Sequence, residues 1–165
     1  MQGVLVLHNI RSVHNVGSIF RTADAAGVSN IILSGYTPTP LDRFGRGRKD
    51  FSKVSLGAEK TVAWEHVKQI APALKKLKKE GYKLLAVEQD KKSVSLFDYK
   101  PRREAVGVPT KASGKLALIL GNEVKGLSKS VLKQADVIVE IPMRGKKESL
   151  NVSVAAGVAL FTLLK

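Results

Sequence analysis

The sequence predicts an α/β fold, a mostly parallel sheet flanked by helices. Two observations carry this reading. Short apolar runs alternate along the chain with stretches of helical periodicity, the pattern left by strand–helix–strand units. One of the runs, KLALIL at 115–120, is almost wholly apolar, as a parallel strand covered on both faces must be. The 165 residues, 44% of them hydrophobic, suffice for a single domain over 1–165 with a substantial core.

The elements follow in order. Residues 4–7 (VLVL) read as a buried strand. Asn15 is placed to cap a helix whose apolar stripe is Val16, Ile19, Phe20, Ala23 and Ala26, and Gly27 stops it. Residues 30–33 form a second strand, ending at Ser34-Gly35. The stretch 36–50, with Pro38, Pro40, Gly45 and Gly47, has no period and reads as a loop. Residues 61–80 read as a helix ending at Gly81, with Pro72 kinking it or starting a second helix. Strand 83–87 and an irregular stretch at 93–109 come next. After strand 115–120, Ser128 caps a helix over 128–135, and 136–141 is a further strand. The last helix, 151–164, is apolar nearly all round (Val152, Val154, Ala155, Ala156, Val158, Ala159, Leu160, Leu163). It should pack on the sheet and on something else, a partner subunit being one candidate.

Composition narrows the function. Lys plus Arg is 28 and Asp plus Glu is 14, a net +14 that favours a polyanionic partner, nucleic acid before an anionic membrane. Without cysteine there is no disulfide, iron–sulfur or thiolate zinc site, and His8, His14 and His66 have no metal-binding spacing, so no metal is expected. No apolar run reaches a membrane span, and the start MQGVLVLHN lacks a signal-peptide pattern. A soluble cytoplasmic protein is the expectation.

Familiar motifs fail. Residues 45–50 begin like a dinucleotide-binding glycine loop but end in Asp50, and they neither follow a strand directly nor read as opening a helix. No P-loop or nucleophile elbow is present. Three other segments stand out, each at the carboxyl end of an expected strand, where open α/β sheets bind ligands. In residues 9–21, Arg21 lies one turn after Gly17 and can lean back over it toward Asn15. The plainer alternative is a cap and a surface ion pair between Arg21 and Asp24. In residues 119–128, Gly121 allows a close approach and Glu123 is placed to hold a hydroxyl or amine, or the segment is an ordinary connection. In residues 141–153, a basic loop leads into the last helix, where Ser149 or Asn151 caps and the helix N-terminus can also meet an anion or ligand.

Together the three resemble the motifs of the SpoU family of RNA ribose 2′-O-methyltransferases, TrmH-like members of the SPOUT superfamily. Asn15, Gly17 and Arg21 match the first motif, and Gly121, Asn122, Glu123 and Gly126 the second. Ile141, Pro142, Met143, Gly145, Ser149, Leu150, Asn151, Val152, Ser153 and Ala155 match the third. The resemblance covers nearly the whole chain. The N-terminal RNA-binding extension of many relatives is not expected here, so recognition would fall to the domain's own loops and basic surface, or to its dimer.

The resemblance implies a deep C-terminal trefoil knot, S-adenosylmethionine bound bent within it, and a homodimer with active sites near the interface. Val87 or Glu88, with Gly121, Asn122, Gly126, Ile141, Met143, Ser149 and Leu150, would surround the cofactor. Arg21 would serve catalysis, gripping a substrate phosphate so that the phosphate or a transiently deprotonated guanidinium takes the 2′-hydroxyl proton. Asn15, Glu123, Ser149 and Asn151 would position the ribose and Arg21. RNA contacts are expected from Arg11, from Arg43, Arg46, Arg48 and Lys49, and from Arg144, Lys146 and Lys147. Lys75, Lys76, Lys78 and Lys79 form either a further contact or a solvated face. With 5% aromatic residues, recognition should rest more on backbone and shape than on stacking. A compact domain suits tRNA better than rRNA as substrate. Two other functions compete with this one: a silent RNA- or ribosome-binding protein of the same fold, and a base methyltransferase of the same superfamily.

Overall fold

The computed structural model describes residues 2–100 and 114–164. Seven strands form one sheet: β1 (Gln2–His8), β2 (Asn30–Ser34), β3 (Ala63–Val67), β4 (Lys83–Val87), β5 (Val94–Ser95), β6 (Lys115–Leu120) and β7 (Val137–Glu140). Their order is β3-β2-β1-β6-β4-β7-β5, and every pairing is parallel. The central strands are apolar between their ends because the pleat sends alternate side chains into two cores. Leu5 and Leu7 face one, Val4 and Val6 the other, and all four are buried.

The first core lies under α1 (Val13–Ala25), α2 (Lys49–Ser55), α3 (Ala58–Thr61) and α6 (Val152–Leu163); the second lies under α4 (Ile70–Lys79) and α5 (Lys129–Leu132). In α1 the expected stripe points inward, with Val16, Ile19, Phe20 and Ala23 fully buried and Phe20 meeting Phe51 of α2 edge to face at 5.1 Å. The cap of α1 is Ser12, not Asn15: the Ser12 hydroxyl accepts the Asn15 amide at 3.2 Å, which frees the Asn15 side chain for other work. Gly17 is buried because α2 crosses it, and a Cβ there would lie 3.1 Å from the Phe51 carbonyl and 3.2 Å from Val54. The space above Gly17 is therefore taken by α2 and offers Arg21 no path.

The expected helix over 61–80 is replaced by β3, a short loop and α4. Pro72 sits in the first turn of α4, where its missing N–H costs nothing, so it helps begin a helix instead of kinking one. The stretch 45–50 does lead into a helix, since α2 opens at Lys49, but a long loop separates it from β2. Within the irregular stretch 93–109, β5 occupies Val94–Ser95, and residues from 101 onward lie outside those described. Asp136 ends the α5–β7 connection: its carboxylate accepts the Leu84 N–H at 2.8 Å and pairs with Lys78 at 2.8 Å. One member of the lysine cluster is thus committed to the fold.

Candidate active site

Three loops meet at the carboxyl edge of β1, β6 and β7. Their centre is Glu123, just past β6. Its carboxylate accepts the N–H of Arg11 at 3.0 and 3.2 Å, the N–H of Ser12 at 3.2 Å and the Asn15 side-chain amide at 3.1 Å. Asn15 in turn accepts the Asn151 amide at 3.1 Å. Asn151 is the cap of α6, its side-chain oxygen taking the Ser153 N–H at 2.8 Å and the Ser153 hydroxyl at 2.7 Å. One side chain therefore both caps the helix and joins the network, so the two readings of that residue coincide. A relay of three side chains ties the first, second and third segments together.

Partial burial alone would raise the Glu123 carboxyl. The N–H donors of Arg11, of Glu123 itself and of Ser12, with the Asn15 amide, outweigh it and hold the group below the ordinary glutamate range. A carboxylate so saturated with donors is a poor base. The depressed value also fixes a sign. Glu123 adds stability above its unfolded-state value and loses it as the pH falls through the folded one. Urea unfolding at a series of pH values should show wild type more stable than Glu123→Gln near neutrality, with the two converging as the medium becomes acid. A constant gap across the series would contradict the donor network.

The second segment closes on itself. Asn122 is buried and fully used: its amide donates to the Asn9 carbonyl and the Tyr36 hydroxyl, each at 3.0 Å, and its oxygen accepts the N–H of Val124 at 2.9 Å and of Lys125 at 2.8 Å. Gly126 has a φ of +63°, and its N–H donates to the Asn122 carbonyl at 2.9 Å. Glu88, just past β4, accepts the Leu127 N–H at 2.7 Å. Gln89 reaches the third segment, donating to the Glu148 carbonyl at 2.6 Å.

Between these loops lies a cleft of about 300 Å³, the lower end of the range for ligand pockets. Every expected cofactor neighbour lines it: Val87, Glu88, Gly121, Asn122, Gly126, Ile141, Met143, Ser149 and Leu150. Glu123 lines it as well, beside Leu120, Glu140, Glu148 and Val152. Four of the fourteen carboxylates of this basic chain thus face one cleft. Asn15 and Asn151 do not line it; they join it through the hydrogen bonds that run to Glu123.

Arg21 does not join them. It is exposed on α1, six residues beyond Asn15 and so about 9 Å farther along the helix axis. Nor does it pair with Asp24, which instead accepts the Thr61 hydroxyl at 2.7 Å. Among the expected RNA contacts, Arg144, Lys146 and Lys147 are exposed on the loop that borders the cleft, and Arg11 is exposed beside Glu123. Arg46 and Arg48 are tied to their own neighbours, Asp42 at 2.9 Å and Asp50 at 2.8 Å. Arg43 and Lys49 have no carboxylate partner among the described residues.

Sequence reasoning missed Asn9, Tyr36, Gln89 and Glu148. Asn9 adopts a left-handed φ of 57°, accepts the Tyr36 N–H at 3.2 Å and donates to His8 at 3.1 Å. His8, half-buried and 2.8 Å from the Ser34 hydroxyl, has its pKa pushed down by burial. An Asn directly after an apolar strand was the available signal, since Asn tolerates that conformation. Among the described residues no cluster of three His, Cys, Asp or Glu is arranged to hold a metal, and no helix is long and apolar enough to cross a membrane.

Comparison with known proteins agrees on one family. The SpoU rRNA Methylase family matches residues 2–161. An uncharacterized tRNA/rRNA methyltransferase of Archaeoglobus fulgidus is 36% identical over 160 residues, covering 97% of this chain and 63% of its own length. The chain spans less than two thirds of the curated relatives it first matches. An AdoMet-bound rRNA methyltransferase from Sinorhizobium meliloti superposes with a TM-score of 0.81 at 26% identity, over 98% of this chain and 55% of that one. A structure described as giving insight into the 2-OH methylation of C/U34 on tRNA superposes with a TM-score of 0.76 at 26% identity, over 97% and 92%.

Proposed function

The chain belongs to the SpoU rRNA Methylase family, and from that premise we propose that it transfers a methyl group from S-adenosylmethionine to a ribose 2′-hydroxyl of RNA. The observation that carries this reading is the relay Glu123–Asn15–Asn151 beside the cleft, which draws all three family segments to one edge of the sheet.

The residues present fit the cofactor. Leu120, Ile141, Leu150 and Val152 offer an apolar slot for adenine. A Cβ on Gly121 would lie 2.8 Å from the Gly126 carbonyl carbon, and one on Gly126 would run into the Glu88 carboxylate. The two glycines therefore let the loop fold tightly on itself and on Glu88, which sets the wall of the cleft. Glu88, Glu123, Glu140 and Glu148 set negative charge toward a cationic ligand. When bound, S-adenosylmethionine supplies a methyl group on a sulfonium sulfur, already a strong electrophile.

The remaining task is the hydroxyl, a weak nucleophile until its proton leaves. Asn15, Ser149 and Asn151 orient the ribose, and Glu123 fixes Asn15. Arg21 grips the neighbouring phosphate, and the phosphate or a transiently deprotonated guanidinium takes the proton; Arg144, Lys146 and Lys147 hold the strand. Because Arg21 stands away from the cleft of its own chain, it serves the cleft of a second copy. Val154 and Phe161 of α6 support a homodimer, being 50% and 54% exposed on an otherwise apolar helix. The threading of the last segment belongs to the same proposal. It is supported by β7 lying between β4 and β5, two strands that precede it in the chain.

A tRNA substrate is favoured, because the tRNA-associated structure is matched nearly end to end. Incubation with methyl-labelled S-adenosylmethionine and total RNA, then nucleoside digestion and mass spectrometry, should find a 2′-O-methylnucleoside in the tRNA fraction. Label in rRNA would move the substrate, and label on a base would overturn the ribose assignment. Cofactor binding with no transfer to any RNA would leave only a silent binding protein.

A further inference from the structure

The loop after β2 holds a small element that the reaction does not use. Leu41 and Gly47 pair across it as an antiparallel bridge. The Asp42 N–H donates to the Arg46 carbonyl at 2.8 Å, and the Gly45 N–H donates to the Asp42 carbonyl at 3.0 Å. The Asp42 carboxylate accepts the N–H of Phe44 at 2.8 Å and of Arg46 at 3.0 Å, and the Arg46 Nε at 2.9 Å. Gly45, with a φ of +76°, makes the tight step. The turn is thus shaped by its own hydrogen bonds, and it carries Phe44 at its apex, 65% exposed. The neighbours on that ring are cations: the guanidinium carbons of Arg43 and Arg46 lie 4.7 and 5.0 Å from its centroid.

An exposed aromatic ring flanked by guanidinium groups is built to take a flat π-face together with phosphate, the pairing used on single strands. Its place in the fold agrees. The loop leaves the carboxyl edge of the sheet at Tyr36, whose hydroxyl accepts from Asn122, and at Thr37, buried and bonded to the Leu7 carbonyl at 3.0 Å. Leu41 is four residues farther on, at most about 14 Å of chain. We infer that the turn at 41–47 is a second contact for the RNA substrate, in which an unpaired nucleobase stacks on Phe44. The inference rests on the RNA reading above and adds to it. Arg46 is held by Asp42, whereas Arg43 has no carboxylate partner among the described residues. The arriving base replaces Arg43 over the ring, and Arg43 turns to the flanking phosphate.

Fluorescence anisotropy with a 12-nucleotide oligouridylate, and with an RNA duplex of equal length, tests this on the full chain. Phe44→Ala should weaken single-strand binding roughly 5- to 100-fold and duplex binding much less. Phe44→Trp should restore the affinity, with its emission quenched by the strand. Arg43→Ala should lower the salt slope by about one phosphate. The thermal midpoint should not move, because the ring is exposed. Single-strand binding by Phe44→Ala within about two-fold of wild type overturns the inference. So does equal loss on both RNAs, or loss on anionic vesicles alone. The activity is judged separately: if no methyl transfer is found while the Phe44 contrast holds, the transferase reading fails and this contact stands.

Discussion

Arg21→Ala is expected to lower methyl transfer at least about 100-fold while changing S-adenosylmethionine affinity by no more than about two-fold. The asymmetry follows from where Arg21 stands. It is exposed on α1 and contributes nothing to the cleft of its own chain, so its removal leaves the cofactor's surroundings intact. It also carries no fold energy worth noting, since no ion pair or hydrogen bond of its side chain is formed among the described residues. If it serves the cleft of a second copy, two inactive proteins should rescue one another. Arg21→Ala supplies an intact cleft, and Glu123→Ala supplies an intact Arg21. Mixed after unfolding and refolding together, they should recover activity approaching about a quarter of wild type, because half of randomly paired dimers are mixed and each has one complete site. Single-turnover methylation and calorimetry measure both halves. Full activity in Arg21→Ala removes the arginine from the chemistry. No rescue on mixing places it at the cleft of its own chain, which would require α1 or the loop before it to move when RNA binds.

How much of this was legible in the sequence depended on where each segment sits. The central strands β1, β6 and β4 and the buried stripe of α1 were plain, because burial on both faces or along one stripe writes a pattern into residue type. The two strands that escaped, β3 and β5, are the edges of the sheet. In β3 (AWEHV) no residue is fully buried, so nothing forces an apolar alternation, and β5 is two residues long. Around the site, the residues that line the cleft could be named from motif resemblance. Their connection could not. That Asn151 reaches Asn15, and Asn15 reaches Glu123, depends on side chains 136 and 108 residues apart, which no local pattern records. Gly17 shows the opposite case. A bare helical position looked like room for Arg21, yet it exists so that α2 can pack against α1.

Gly126→Ala should be strongly damaging for a single added methyl. At φ +63° any side chain meets the left-handed penalty, about 1–2 kcal/mol. The new Cβ would also strike the Glu88 carboxylate, which holds the Leu127 N–H. Displacing it forfeits a charged hydrogen bond of roughly 1.5–3 kcal/mol. Together they predict a loss of about 2.5–5 kcal/mol in urea unfolding, with cofactor affinity falling at least about tenfold as the 121–127 loop shifts against the cleft. The two causes separate in a double-mutant cycle with Glu88→Ala. Once Glu88 is gone the collision is gone, and the added cost of Gly126→Ala should shrink to the backbone penalty alone. Strict additivity would mean that Glu88 yields freely, and that the glycine is needed only for its backbone conformation. Strong coupling would mean that Gly126 is kept bare so that Glu88 can reach across to the Leu127 N–H and close the loop.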